Sequence, residues 1–165
     1  MREQLALIRR YGSDILASPG MRAERAFIQH GEVSVFRQSL GVAVMCLRIA
    51  RGLRLRVDER ALVRGALLHD YFLYDWHVPD PAHRWHGFTH PRAALRNAAR
   101  DFTLSCVERD MIASHMFPMT LPMPGCRESV ILCVADKLCA TGEIVRDRRA
   151  RLFRRAKGKN NGERG

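Results

Sequence analysis

At 165 residues, 47% of them hydrophobic, the chain has room for one domain with a sizeable core and little for a second. Five cysteines without a C-x-x-C pair argue against a disulfide scaffold or a zinc finger and for a reduced, cytoplasmic protein; no run approaches the roughly 20 apolar residues that cross a bilayer. The formal charge of +11 suggests an anionic partner, but from Arg146 to Gly165 nine Lys or Arg stand against Asp147 and Glu163, a net of +7 that leaves +4 for residues 1–145. The chain therefore divides into a folded domain over 1–145 and a basic tail over 146–165. The tail reads as disordered and would meet nucleic acid only nonspecifically, through salt-dependent contacts.

The first predicted helix covers residues 3–17, with Leu5, Ile8, Ile15 and Leu16 as its apolar stripe, and it is too charged to be a signal peptide. Ser18-Pro19-Gly20 breaks it, and a short polar connection through Gln29-His30-Gly31 follows. From Ser34 to Arg51, the positions Val35, Gln38, Val42, Met45 and Ile49 share one helical face, so Gln38 brings a buried amide that needs partners. Asp58 is a good N-cap for the next helix, which contains ALVRGALLHD. Leu62, Ala66 and Leu67 bury one side of that helix and deliver His69 and Asp70 to the edge of the core.

Tyr71 to Thr89 reads as a long irregular stretch punctuated by Pro79, Pro81 and Gly87, of the kind that is usually functional or disordered. Pro91 suits the first position of a helix, with His90 as its N-cap, and Ala93, Ala94, Ala98 and Ala99 give that helix a slim face. Ser105 and Glu108 form a capping box for a helix that turns Val107, Met111, Ile112 and His115 inward; Pro118, Pro122, Pro124 and Gly125 end it. The last helix spans about Arg127 to Val145 and carries Asp136 among Leu132, Cys133, Cys139 and Ala140. Nothing alternates as a strand would, and no repeat appears, so the fold class is all-α: a single-domain bundle of about six or seven helices.

Polar groups on inward faces or helix ends are then Gln38, His69 with Asp70, His90, His115 and Asp136. Burying an unpaired carboxylate costs several kcal/mol, and two of them repel unless something positive lies between. A bound cation removes both problems, and imidazole with carboxylate suits one or two ions of Fe, Mn, Zn, Ni or Co better than Ca or Mg. An arbitrary His-Asp doublet is more often structural than ligating; the rest of the set lowers those odds.

The order of these residues resembles the H...HD...H...H...D pattern of the HD-domain metal-dependent phosphohydrolases, helical-bundle enzymes. The matches are His69-Asp70 in RGALLHDYFLYDWH, His90 in HGFTHPRAA, His115 in SHMFP and Asp136 in ADK, spread over about residues 29–143. The first element departs from the pattern, since Gln38 before Ser39 stands where the family has histidine. The resemblance implies a first metal held by His69, Asp70, Asp136 and the residue at 38. It implies a second metal on His90 and His115 with Asp70 bridging. An amide oxygen is a poorer ligand than imidazole for the softer metals. His30, eight residues before Gln38, lies about 12 Å away along a helix and cannot replace the lost ligand without an intervening turn.

The implied activity is hydrolysis of a nucleotide or other small phosphate ester by metal-activated water. Arg64 and Lys137 are candidates to stabilise phosphoryl oxygens, and Asp75 is a candidate proton shuttle. Solvated roles for all three are the plain alternatives. His86 is the reserve ligand if His90 is only a cap, whereas His30, His77 and His83 read as loop histidines. Tyr71, Phe72, Tyr74 and Trp76 either stack on a substrate or belong to the core. The competing reading, motivated by Gln38, is a non-catalytic domain that keeps one metal as a structural or sensing site.

Overall fold

The computed structural model describes residues 1–30, 33–78, 81 and 85–162, with residues 30 and 146–162 as backbone only. The described residues form seven helices, α1 (Arg2–Ala17), α2 (Pro19–Ala23), α3 (Val35–Gly52), α4 (Glu59–Leu68), α5 (His86–Asp101), α6 (Cys106–Ser114) and α7 (Arg127–Gly162). A two-stranded antiparallel sheet, β1 (Ile28–His30) and β2 (Val33–Ser34), pairs Ile28 with Ser34 and His30 with Val33. The all-α expectation holds for the architecture, but the connection around Gln29 is a small hairpin rather than an irregular link. No helix among the described residues is long and apolar enough to cross a membrane.

Local signals set most helix ends. Ser18 ends α1 and accepts a hydrogen bond from Met21 N, so one residue closes one helix and opens the next ahead of Pro19. Asp58 accepts from Ala61 N at 2.9 Å, and Ser105 and Glu108 make both bonds of the capping box. Two boundaries differ from the pattern. Helix α5 begins at His86, which places His90 and Pro91 inside it and not at its start. A proline there forfeits the backbone bond to Gly87 O; one residue earlier, the His90 ring bonds His86 O through Nδ1 at 2.8 Å. Helix α7 continues to Gly162, well past the expected end at Val145.

Helix α4 is central and packs against α1, α3 and α6, and every residue from Ala61 to Leu68 is buried, Arg64 included. The stripe of α1 is Gln4, Ile8, Gly12 and Ile15, with Leu5 outside at 39% exposure, because a glycine supplied close approach where the apolar count looked for leucine. At the α4–α6 crossing, a Cβ on Gly65 would lie 2.5 Å from Met111 Sδ and 3.1 Å from Met111 Cβ. Gly41 in α3 meets nothing within 4 Å.

The two glycines predict opposite outcomes in urea denaturation. Gly65→Ala should destabilise by about 1–3 kcal/mol through overpacking against a buried methionine. Gly41→Ala should stabilise by about 0.5–1 kcal/mol through helix propensity alone.

Candidate metal centre

Five helices and one strand bring the polar set together. His69 and His115 are the residues that immediately follow α4 and α6, where the last turn of a helix leaves carbonyls without an amide partner. Each ring folds back on its own helix, His69 Nδ1 donating to Ala66 O at 2.8 Å and His115 Nδ1 to Ile112 O at 2.9 Å. His90 does the same with His86 O inside α5. A carbonyl can only accept, so each Nδ1 carries a proton and each Nε2 is the nitrogen turned inward, a bare lone pair whenever the ring carries no second proton.

Those lone pairs meet acceptors. The Nε2 atoms of His90 and His115 are 2.9 Å apart, and they lie 3.3 and 3.4 Å from Asp70 Oδ1. All three side chains are buried, and their ligating atoms lie within 4.8 Å of one another. On the other carboxylate oxygen, His69 Nε2 is 3.4 Å from Asp70 Oδ2 and 3.5 Å from Asp136 Oδ1. His69 Nε2 and Asp70 Oδ1 are buried without a hydrogen-bond partner. Acceptors crowded this way require positive charge between them, as protons or as a cation.

The spacing fits a cation. Bonds of about 2.1 Å to nitrogen and oxygen give ligand-to-ligand edges of roughly 3.0 Å in an octahedron and 3.4 Å in a tetrahedron. The two edges from Asp70 to His90 and His115 fall in that range, and the edge between the two rings, 2.9 Å, lies just under it. Without an ion, protons take its place: burial pushes His69 down, but the carboxylates of Asp70 and Asp136 outweigh it and raise His69 to about 9. Burial likewise pushes Asp70 up, and the surrounding imidazoles, His69 foremost, hold it well below the usual carboxylate range.

The half of the site around Asp136 differs. Gln38 donates its amide Nε2 to Asp136 Oδ1 at 3.2 Å, and Gln29 donates to Asp70 Oδ2 at 2.9 Å. Two neutral amides thus bond the oxygens that His69 faces, while both amide oxygens are buried without a partner. Gln29, from β1, was not singled out in the sequence. A three-residue strand has too short a period to mark an inward face.

A cavity of about 740 Å³ opens onto this centre. Gln38, Asp70, His90, His115, Asp136 and Lys137 line it, and His69 sits behind them, fully buried. Lys137 Nζ donates to the carbonyls of His115 and Cys133. His86 also lines the cavity, with Nδ1 2.9 Å from Tyr74 Oη and its ring stacked between Trp76 and His90; His90 is the one in the compact ligand set. Of the aromatic cluster, Tyr71 and Phe72 are core and Trp76 is in the wall.

Two expected catalytic residues stand elsewhere. Arg64 is committed to a buried ion pair with Glu108, Nε to Oε1 at 3.0 Å, and to Asp14 at 2.8 Å. Five residues before His69 on a helix with 3.6 residues per turn, it points well away from that ring. Asp75 accepts from His77 N and contacts the His77 ring, outside the cavity wall. The side chain of His30 and all of His83 lie outside the described residues.

Sequence reading also missed Glu24 and Asn97. Asn97 on α5 donates to the carbonyls of Tyr71 and Phe72, at 3.1 and 2.9 Å, and secures the turn just after the doublet, where Leu73 adopts a left-handed φ of 61°. Glu24, at the end of α2, is fully buried with neither carboxyl oxygen partnered. Burial, reinforced by the charge of Asp70, pushes its pKa well above the ordinary 4.5.

A family model for the HD domain matches residues 35–141, and the chain belongs to that family. No curated protein and no solved structure matches it.

Glu24 yields a prediction with a definite sign. The folded protein keeps its proton above pH 4.5 while the unfolded chain releases it, so this group lowers stability as pH rises toward the folded pKa. Glu24→Gln should match the wild type in thermal unfolding near pH 4 and exceed it at pH 8, by a margin that widens with pH.

Proposed function

We propose that the chain is a metal-dependent phosphohydrolase acting on a nucleotide or another small phosphate ester. The observation that carries this reading is the convergence of three imidazole Nε2 atoms, each with its tautomer set by a backbone carbonyl, on the two oxygens of Asp70. The acceptor-only donor set fits one or two divalent ions of Fe, Mn, Zn, Ni or Co. His90, His115 and Asp70 would hold one, and His69, Asp136 and the other oxygen of Asp70 would hold a second, with Gln38 at its edge. A bound divalent ion supplies Lewis acidity toward a phosphoryl oxygen and brings the pKa of water near 7.

The chain's own groups do the rest. Lys137, in the cavity wall, offers its ammonium to a phosphoryl oxygen, held in place by two backbone carbonyls. A ligand seated against the apolar walls would displace bulk water and so strengthen every charge interaction at the centre. Gln29 and Gln38 orient Asp70 and Asp136 through their amide hydrogens.

The amide of Gln38 on Asp136 favours a second reading, an HD domain that keeps one metal as a structural or sensing site and hydrolyses nothing. Phosphate release from a panel of nucleotides, dinucleoside polyphosphates and simple alkyl and aryl phosphates, by protein loaded with Mn or Fe, separates the two. We expect release. His90→Ala and His115→Ala should each reduce it by more than the roughly 10–100-fold that loss of an outer supporting residue costs. Gln38→His should raise both metal content and rate. An inactive wild type with one equivalent of metal, unimproved by Gln38→His, supports the second reading.

A further inference from the structure

Outside the metal centre the cavity wall is apolar. Trp76, Val78, Trp85, Phe88, Met116 and Met119 line it, and four of them are more than half exposed, Val78 at 58%, Trp85 at 62%, Phe88 at 53% and Met119 at 53%. An exposed apolar rim around a deep pocket marks a surface meant to be covered by a ligand. Within the wall, the stacked rings of Trp76, His86 and His90 make a flat column, with ring centroids 5.1 and 4.7 Å apart, that leads toward the ligand set.

The charge of the wall points the same way. The chain has 28 Lys and Arg, yet among the described residues lining the cavity Lys137 is the one basic side chain. A polyphosphate would need several cationic groups to offset the water it leaves behind. Nucleoside hydroxyls and base edges would need hydrogen-bonding partners, because an unpaired polar group in such a pocket loses affinity. Apart from the residues of the metal centre and its two glutamines, the described wall offers few polar side-chain groups: those of Lys137 and His86 and the indole N–H groups of Trp76 and Trp85. The Nε1 of Trp76 is a buried donor without a partner, suited to one ligand oxygen.

We propose that the site takes the phosphomonoester of an apolar alcohol or phenol, with its phosphoryl head at the metal centre and its aryl or alkyl body against Trp76, Trp85 and Phe88. This specificity rests on the phosphohydrolase reading for its head group, and on the wall alone for its body. It sets the apolar ester above the nucleotide as the preferred substrate.

Binding of non-hydrolysable probes tests it without relying on turnover. Both tryptophans of the chain line the cavity, so their emission reports occupancy, and calorimetry gives the affinity where a tryptophan is replaced. On the Zn-loaded full chain, octylphosphonate should bind about tenfold or more tighter than methylphosphonate, the added methylenes being buried, and tighter than adenosine 5′-monophosphate. Trp85→Ala and Phe88→Ala, both at exposed positions, should each remove about fivefold of the advantage of octylphosphonate over methylphosphonate. Equal affinities for the two phosphonates, tighter binding of the nucleotide, or no binding of octylphosphonate at millimolar concentration would each overturn the proposal. A preference for octylphosphonate with no phosphate released from octyl or 1-naphthyl phosphate leaves this specificity standing and removes the hydrolase reading. Turnover of nucleotides without that preference does the reverse.

Discussion

The structure depends on one electrostatic constraint: buried imidazole lone pairs and carboxylate oxygens face one another and need positive charge between them. Helices α3 to α7 each send a polar residue to the same point, at which Asp70 divides its two oxygens between His90 with His115 and His69 with Asp136. No arrangement of neutral hydrogen bonds satisfies that set, because every Nδ1 already donates to a backbone carbonyl. Protons satisfy it in part and a divalent cation satisfies it with matching distances. The core is therefore built around positive charge, which a protonated His69 supplies in part and a divalent cation would supply more fully.

The bundle provides the aim. The carbonyls that α4 and α6 leave over at their C-termini hold the rings of His69 and His115, so the helix ends act as the outer support that a ligating histidine requires. α4 can carry the doublet inward because its other faces are sealed by α1, α3 and α6 and its one interior cation, Arg64, is neutralised by Glu108 and Asp14. Asn97 then holds the turn after the doublet by bonding two successive carbonyls.

The two halves of the centre are chemically unequal. Around Asp70 Oδ1 the partners are imidazoles at ligand spacing, while around Asp70 Oδ2 and Asp136 Oδ1 two glutamine amides donate hydrogen bonds. Each amide hydrogen competes with a cation for the carboxylate oxygen it bonds, so the second half binds a cation at the expense of interactions the first half never makes. The cavity shows a matching asymmetry, acidic and imidazole-lined within and aromatic at the mouth.

Much of this was legible in the residues. Helical periodicity, the Asp58 cap and the Ser105–Glu108 box located helices because those signals act over three or four residues. Gln38, His69, Asp70, His90, His115 and Asp136 stood out because polar groups on apolar faces need a reason to be there. Arg64 was misjudged as catalytic, since its position on the doublet's helix says nothing of what packs against its face. The partner, Glu108, is 44 residues away. Gln29 and Glu24 carry no periodic mark, and His90 read as a cap because Pro91 after it is the strongest local start signal. By itself the sequence determined the helices and the list of groups that must be neutralised, for these follow from local spacing and the cost of burying charge. Only the tertiary structure decided which oxygen faces which ring, that Gln38 and Gln29 bond the carboxylates, and that an aromatic mouth covers the centre, because those depend on how separate helices and a hairpin meet in space.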